Sequence, residues 1–133
     1  MKVQNLSGKI TNWSLTGYST NKKKGKSDLH LKARKLLKEV YKSTSLLEEI
    51  SIPIDSGITL FLDFYLPLFH KAFEVMGQQH FSYSSFFHGS IENFKRSKSN
   101  DSKKLEWCEL NGITLIYLNF DESEEEWKQK ILN

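Results

Sequence analysis

Apolar and polar positions alternate most clearly over residues 60–76, LFLDFYLPLFHKAFEVM. Successive side chains of an extended chain point to opposite faces. Residues 60–66 then put Phe61, Asp63 and Tyr65 on one face and Leu62, Phe64 and Leu66 on the other. Residues 67–70 make a short hairpin connection, and residues 71–76 return as its second strand. Upstream, residues 46–54 (LLEEISIPI) space β-branched isoleucines two apart and read as a strand. Asp55-Ser56-Gly57 is a turn signal between that strand and the hairpin. Three strands in succession predict a meander, which needs helices to cover it.

Helical spacing appears on both sides of the meander. Leu29, Ala33, Leu36, Leu37, Val40 and Tyr41 form an apolar stripe that predicts a helix over residues 28–42. Ser27 suits its N-cap and Asp28 its positive end. A second helix is predicted over residues 101–110, with a start as early as Ser90, and Asn111-Gly112 closes it. Residues 113–120, ITLIYLNF, read as a central strand that joins the meander in parallel through the helical crossover. The last helix spans residues 122–132. Glu122, Glu124, Glu125 and Glu126 lie in its first half, Lys128 and Lys130 in its second, and Trp127 and Ile131 dock it. Residues 81–89, FSYSSFFHG, have no period and read as a loop. Residues 1–26 show only short apolar stretches between Gly8, Gly17 and Gly25, and read as a mobile or loosely packed basic arm whose lysines, Trp13 and Tyr18 either contact phosphates and bases or pack on the domain surface. The order predicts an α/β fold: a mixed four-stranded sheet, a three-strand meander plus one crossover strand, flanked by helices, in one domain over residues 27–133.

Composition narrows the class. The chain has 133 residues, a length suited to one compact domain. No apolar run approaches the roughly 18 residues of a membrane span, and MKVQNLSGKI lacks the apolar core of a signal peptide, so a cytoplasmic location is expected. The single cysteine, Cys108, excludes an internal disulfide and a cysteine-based zinc site, and reads as core. Net charge is +3, but its distribution is uneven. Lys22, Lys23, Lys24, Lys26, Lys32, Arg34, Lys35 and Lys38 form one basic cluster, and Lys95, Arg96, Lys98, Lys103 and Lys104 form another. Such clusters suit a phosphate backbone, or they are solvated helix faces.

The candidate chemistry lies in the hairpin. If Leu66 pairs with Lys71, Asp63 is directly opposite Glu74, and opposed residues have Cα atoms roughly 4.5–5.5 Å apart. Like charges so placed are destabilising. A divalent cation held by both carboxylates removes that cost. A register different by one residue would leave one carboxylate simply solvated.

Asp63-Phe64-Tyr65-Leu66-Pro67, then Glu74, then Gly77-Gln78-Gln79-His80, resembles the small phage and bacterial endonucleases related to the very short patch repair nuclease. These belong to the PD-(D/E)xK restriction-endonuclease-like superfamily. The resemblance runs over about residues 27–120 and leaves the first 26 residues unmatched. It implies a restriction-endonuclease-like core in a bacterium or phage-infected cell. The activity implied is metal-dependent hydrolysis of DNA, of phage homing or mismatch-nicking type. Mg²⁺ is the expected ion, with Mn²⁺ as an alternative, held by Asp63, Glu74 and the carbonyl of Val75. The superfamily's lysine two residues after the Glu is Met76 here. The resemblance implies that Gln79 and His80 take over part of its work, with His80 activating water; a histidine bonded to backbone is the competing reading. Asn100-Asp101-Ser102-Lys103-Lys104 before Trp107-Cys108 resembles the family's Asp-x-x-Lys ahead of an aromatic-Cys pair. It implies that Asp101 orients His80 and that Lys104 approaches the scissile phosphate, against a helix cap and a surface lysine. His30 stands where relatives commonly carry a Glu, and is assigned to the active-site side.

The expected contacts to DNA are Lys22, Lys23, Lys24, Lys26, Lys95, Arg96 and Lys98. No second DNA-reading domain is visible, so specificity would come from loops, the arm, a homodimer or a partner protein. Met76 keeps open a catalytically silent module that binds DNA or protein on the same fold. A nuclease subunit active only in a larger assembly is the third reading.

Overall fold

A computed structural model describes residues 1–16, Tyr18 and residues 27–133, with Phe86 and Phe87 in backbone only. The meander forms as the alternation predicts. β3 (Leu47–Asp55), β4 (Ile58–Leu66) and β5 (Lys71–Met76) pair antiparallel in order, and β6 (Thr114–Asn119) adds parallel to β5. Leu66 pairs with Lys71, as expected. The connection is a 3₁₀ turn, Pro67–Phe69, closed by His70 at φ 51°.

Three helices cover the sheet. Ser27 starts α1 (Asp28–Val40), its Oγ accepting the His30 N–H at 3.2 Å. α1 and α4 (Glu124–Leu132) cover one face, where Ala33, Leu36, Leu37, Trp127 and Ile131 meet Phe64, Leu66, Phe73 and Leu118. α3 (Ile91–Leu110) covers the other, where Trp107 and Cys108 meet Leu62, Tyr65 and the isoleucines of β3. The apolar content of β6 suggested a central strand, but it lies at the sheet edge. α4 shields it, since the Trp127 Nε1–H donates to the Asn119 carbonyl (2.9 Å) and Lys130 Nζ to the Tyr117 carbonyl (2.7 Å). Side-chain donors thus blunt an edge that another strand would otherwise pair. Among the described residues no helix is long and apolar enough to cross a membrane.

β1 (Lys2–Gln4) and β2 (Ile10–Asn12) pair as a small hairpin, and Val3 and Trp13 are buried in the α3-side core. The Trp13 ring lies 4.9 Å from Tyr65 and 5.1 Å from Trp107, and its Nε1–H donates to the Ser51 carbonyl at 2.7 Å. Val3 and Trp13 therefore tie the described part of residues 1–26 to the core. Two further expectations are corrected. The 81–89 stretch holds one helical turn, α2 (Ser85–His88). The last helix starts at Glu124; Glu122 precedes it, accepting the Asn119 N–H and an ion pair from Lys130.

The alternation also breaks once, and the break positions the site. Leu62 and Phe64 were expected on one face but join opposite cores, while Leu47 and Ile50, three apart, join the same one. Both shifts fall on the row shared by Glu49 and Asp63, flanked by the pairs Glu48–Phe64 and Ile50–Leu62. Glu49 sits at φ 51°, a left-handed conformation uncommon for a non-glycine residue. This turn in β3 shifts the pleat by one residue, and β4 follows it at Asp63.

Candidate active site

A cleft of about 580 Å³ opens at this break. Asp63, Glu74, Val75, Gln79, His80, Lys104 and His30 all line it, together with Met76 and Phe120. Seven residues singled out from sequence therefore share one cavity, though they come from α1, β4, β5, the turn after β5 and α3.

The carboxylates of Asp63 and Glu74 are built into the backbone. Pairing between β4 and β5 ends at Phe64–Phe73. One step further, where a directly opposed pair was expected, side chains take over the bonding. Glu74 Oε2 accepts the Asp63 N–H at 2.9 Å, and Asp63 Oδ2 accepts the Val75 N–H at 2.8 Å. Each carboxylate satisfies an amide of the opposite strand or its neighbour, so the strands separate without orphaned donors. The remaining Glu74 oxygen, Oε1, receives Lys104 Nζ at 2.6 Å. Lys104 thus comes from α3 to the acid that the superfamily pattern would pair with a lysine at position 76.

One ammonium does not balance two carboxylates. Burial, then the charge of Glu74, pushes the Asp63 carboxyl up to about 7, against the weaker pull of the Val75 amide and Lys104. Burial works against the Lys104 charge, but Glu74, with Asp63 and Asp101, outweighs it and holds the ammonium above its ordinary range. Among the described residues no group of three or more His, Cys, Asp or Glu gathers as a metal cage. The donor set is the buried Glu74 carboxylate and the partly buried Asp63 carboxylate, two acids against one ammonium, beside the backbone of Val75. Hard oxygens few in number suit an ion that keeps several waters, as Mg²⁺ does.

His80 ends a short 3₁₀ turn, Gln78–His80, that follows Gly77. The Gln79 amide folds back over Gly77, where a Cβ would collide with its Oε1. His80 Nδ1 lies 3.1 Å from Asp101 Oδ2. Asp101 is ten residues into α3, whose cap is Ser90, so the helix-cap reading of Asp101 does not hold. With Nδ1 engaged by a carboxylate, Nε2 is the ring atom left to exchange a proton with a ligand.

His30 also lines the cleft. Its Nε2 bonds Glu48 Oε1, and its ring stacks on Phe64 at 4.6 Å. Arg34 Nη2 reaches the same Glu48 oxygen at 2.7 Å, and Arg34 Nε bonds both oxygens at 3.2 Å. Burial works against the Glu48 charge, but Arg34 and His30 overcome it and hold the carboxyl below its ordinary value. His30 lies on the active-site side, as assigned, with its Nε2 turned to Glu48. Arg34 is likewise an internal ion-pair partner rather than part of a basic surface.

Lys95, Arg96 and Lys98 lie exposed along α3, which brings that basic group to the same side of the sheet as Lys104. Lys22, Lys23, Lys24 and Lys26 lie outside the described residues. Sequence reasoning assigned no role to Glu48, Glu49 and Phe120. The doubled acid in LLEEISI, which interrupts an apolar strand, was the available signal for the first two. Phe120 read only as a strand end. In comparisons with protein-family models, curated proteins and solved structures, nothing matches this chain.

Proposed function

We propose that the chain is a Mg²⁺-dependent DNA endonuclease on a restriction-endonuclease-like core, of phage homing or mismatch-nicking type. The observation that carries this reading is the pairing of Asp63 and Glu74 across the separated strands, with Lys104 against Glu74 in an open cleft. Asp63, Glu74 and the Val75 carbonyl would hold the cation. When bound, it supplies charge stabilisation to the phosphoryl and leaving oxygens. Lys104 supplies a fixed positive charge beside the phosphate, the part left vacant by Met76. His80, aligned by Asp101, accepts the proton of the attacking water at Nε2. Exposed Lys95, Arg96 and Lys98 contact the backbone of the DNA.

The test is relaxation of supercoiled plasmid by the purified chain in Mg²⁺, Mn²⁺ or EDTA, with Asp63→Ala and Glu74→Ala alongside. Metal-dependent cleavage lost in both variants supports the reading. DNA binding without cleavage in either metal counts against it. That outcome would favour the second reading, a binding module in which Lys104 permanently neutralises Glu74 and Met76 marks lost catalysis. Cleavage by the isolated chain excludes a nuclease subunit that works only in a larger assembly.

A further inference from the structure

The cleft continues outward as a strip of exposed rings. Phe120, which lines the cleft beside the carboxylates, is 39% exposed, and Phe81, the residue after His80, is 50% exposed. Their centroids are 5.7 Å apart at 49°. Lys98 Nζ stands 5.5 Å above the Phe81 ring and 5.8 Å from Phe94. Phe94 in turn stacks with half-exposed Tyr83, 6.3 Å away at 20°. Aromatic surface left in water is costly. Here it is threaded by one ammonium and flanked on α3 by exposed Lys95 and Arg96. Apolar protein partners are not favoured by that many cations, whereas a nucleic-acid strand presents flat apolar bases and phosphates in alternation.

We propose that this strip binds an unpaired stretch of the nucleic acid, with bases on Phe120 and Phe81 and a phosphate at Lys98. The substrate class follows from the placement. A base in an intact duplex keeps both faces inside the stack and meets a side-chain ring only where that step is unstacked. A strand reaching the cleft past Phe120 must therefore be single or locally opened next to the scissile phosphate. The inference names the substrate of the nuclease reading and rests on it only for the word substrate, since binding to the strip needs no metal.

The experiment is fluorescence anisotropy in EDTA with a labelled twelve-nucleotide single strand and, separately, a blunt hairpin duplex of equal charge. The proteins are the wild type, Phe81→Ala/Phe120→Ala, Phe81→Leu/Phe120→Leu, and Phe81→Tyr/Phe120→Tyr. The leucine pair keeps apolar bulk and the tyrosine pair keeps the rings. Loss of about tenfold or more in single-strand affinity for the alanine and leucine pairs is expected, because base stacking on a ring contributes on that order. Tyrosine should restore binding, and duplex affinity should change little. Equal losses on both probes, or single-strand affinity unchanged by either pair, overturn the proposal. So does self-association of the wild type that the alanine pair abolishes, which would make the strip a contact between copies. A wild type that binds the single strand with tyrosine rescue but never cuts DNA leaves this inference standing and removes the nuclease reading.

Discussion

Lys104 Nζ lies 2.6 Å from Glu74 Oε1, a contact from the middle of α3 to the strand that carries the acid. Both groups are largely buried, so the pair is more than a screened surface contact. Two consequences oppose each other. The ammonium neutralises one carboxylate, which weakens the pull on a cation. In the proposed nuclease it also stands where a phosphate's charge would develop. Lys104→Met should therefore tighten Mg²⁺ binding by calorimetry while slowing single-turnover cleavage by about 10²-fold or more. Unchanged cleavage would remove Lys104 from the reaction.

Met76 lines the same cleft, two residues after Glu74. A lysine there would approach the site from β5 instead of α3. In the Lys104→Met background, Met76→Lys should recover a measurable part of the cleavage rate. Failure of this rescue in a well-folded double variant would mean that the two positions do not serve one role.

The Asp63 carboxyl gives a pH signature independent of activity. Its folded-state value, about 7, lies above the ordinary 3.8. Over that window the folded chain binds more protons than the unfolded chain. The contribution to stability is full below about pH 4 and is lost as pH rises through 7. Asp63→Asn, which keeps an acceptor for the Val75 amide, should raise stability by on the order of 1–3 kcal/mol at pH 8 and by little at pH 4. If Mg²⁺ is held there as proposed, it must displace the same proton, and its apparent affinity should rise from pH 6 to 8, read by calorimetry. Stability of the Asn variant that tracks wild type at every pH would show that the two carboxylates do not share this charge.

The site was legible where it depends on local pattern and not where it depends on register between distant strands. The Leu66–Lys71 register followed from the turn length, and it brought Asp63 to Glu74. That side chains would take over the bonding was not readable, because it depends on the turn at Glu49 in a third strand. The Glu48–Arg34–His30 group joins α1 to β3, and nothing in either segment names its partner. The burial of Trp13 was not readable because the two strands before it have three residues each, too few to show a period. β6 looked central because its apolar residues are covered by helices, which pattern cannot distinguish from a strand neighbour.

Tyr65 is fully buried between Trp13 and the α3 side of the sheet, and its hydroxyl has no hydrogen-bond partner among the described residues. Burial pushes that hydroxyl up to about 12, so it stays neutral at any working pH. An unpaired buried hydroxyl costs free energy that an aromatic C–H does not. Tyr65→Phe should be neutral or stabilising by about 1 kcal/mol in urea denaturation. A loss of more than that would point to a hydrogen bond made by the hydroxyl in solution.

Glu48 is wholly buried, and Arg34 and His30 both bond its Oε1. Removing one partner of such a pair strands the other, which costs about 3–5 kcal/mol. Arg34→Leu should therefore lower Tm by on the order of 10 °C. Replacing both charges, as Arg34→Leu/Glu48→Met, should recover most of the loss, since apolar groups of similar volume need no compensation. The cycle separates a stranded charge from lost packing: recovery means that the carboxylate was the problem, and equal loss in the double variant means that the Arg34 stem was. The pH course has the opposite sign to that of Asp63. Glu48 is held below its ordinary 4.5, so its contribution is present above that value and lost as pH falls through the folded-state one. Wild type should accordingly lose stability relative to the double variant on acidification below about pH 4.5.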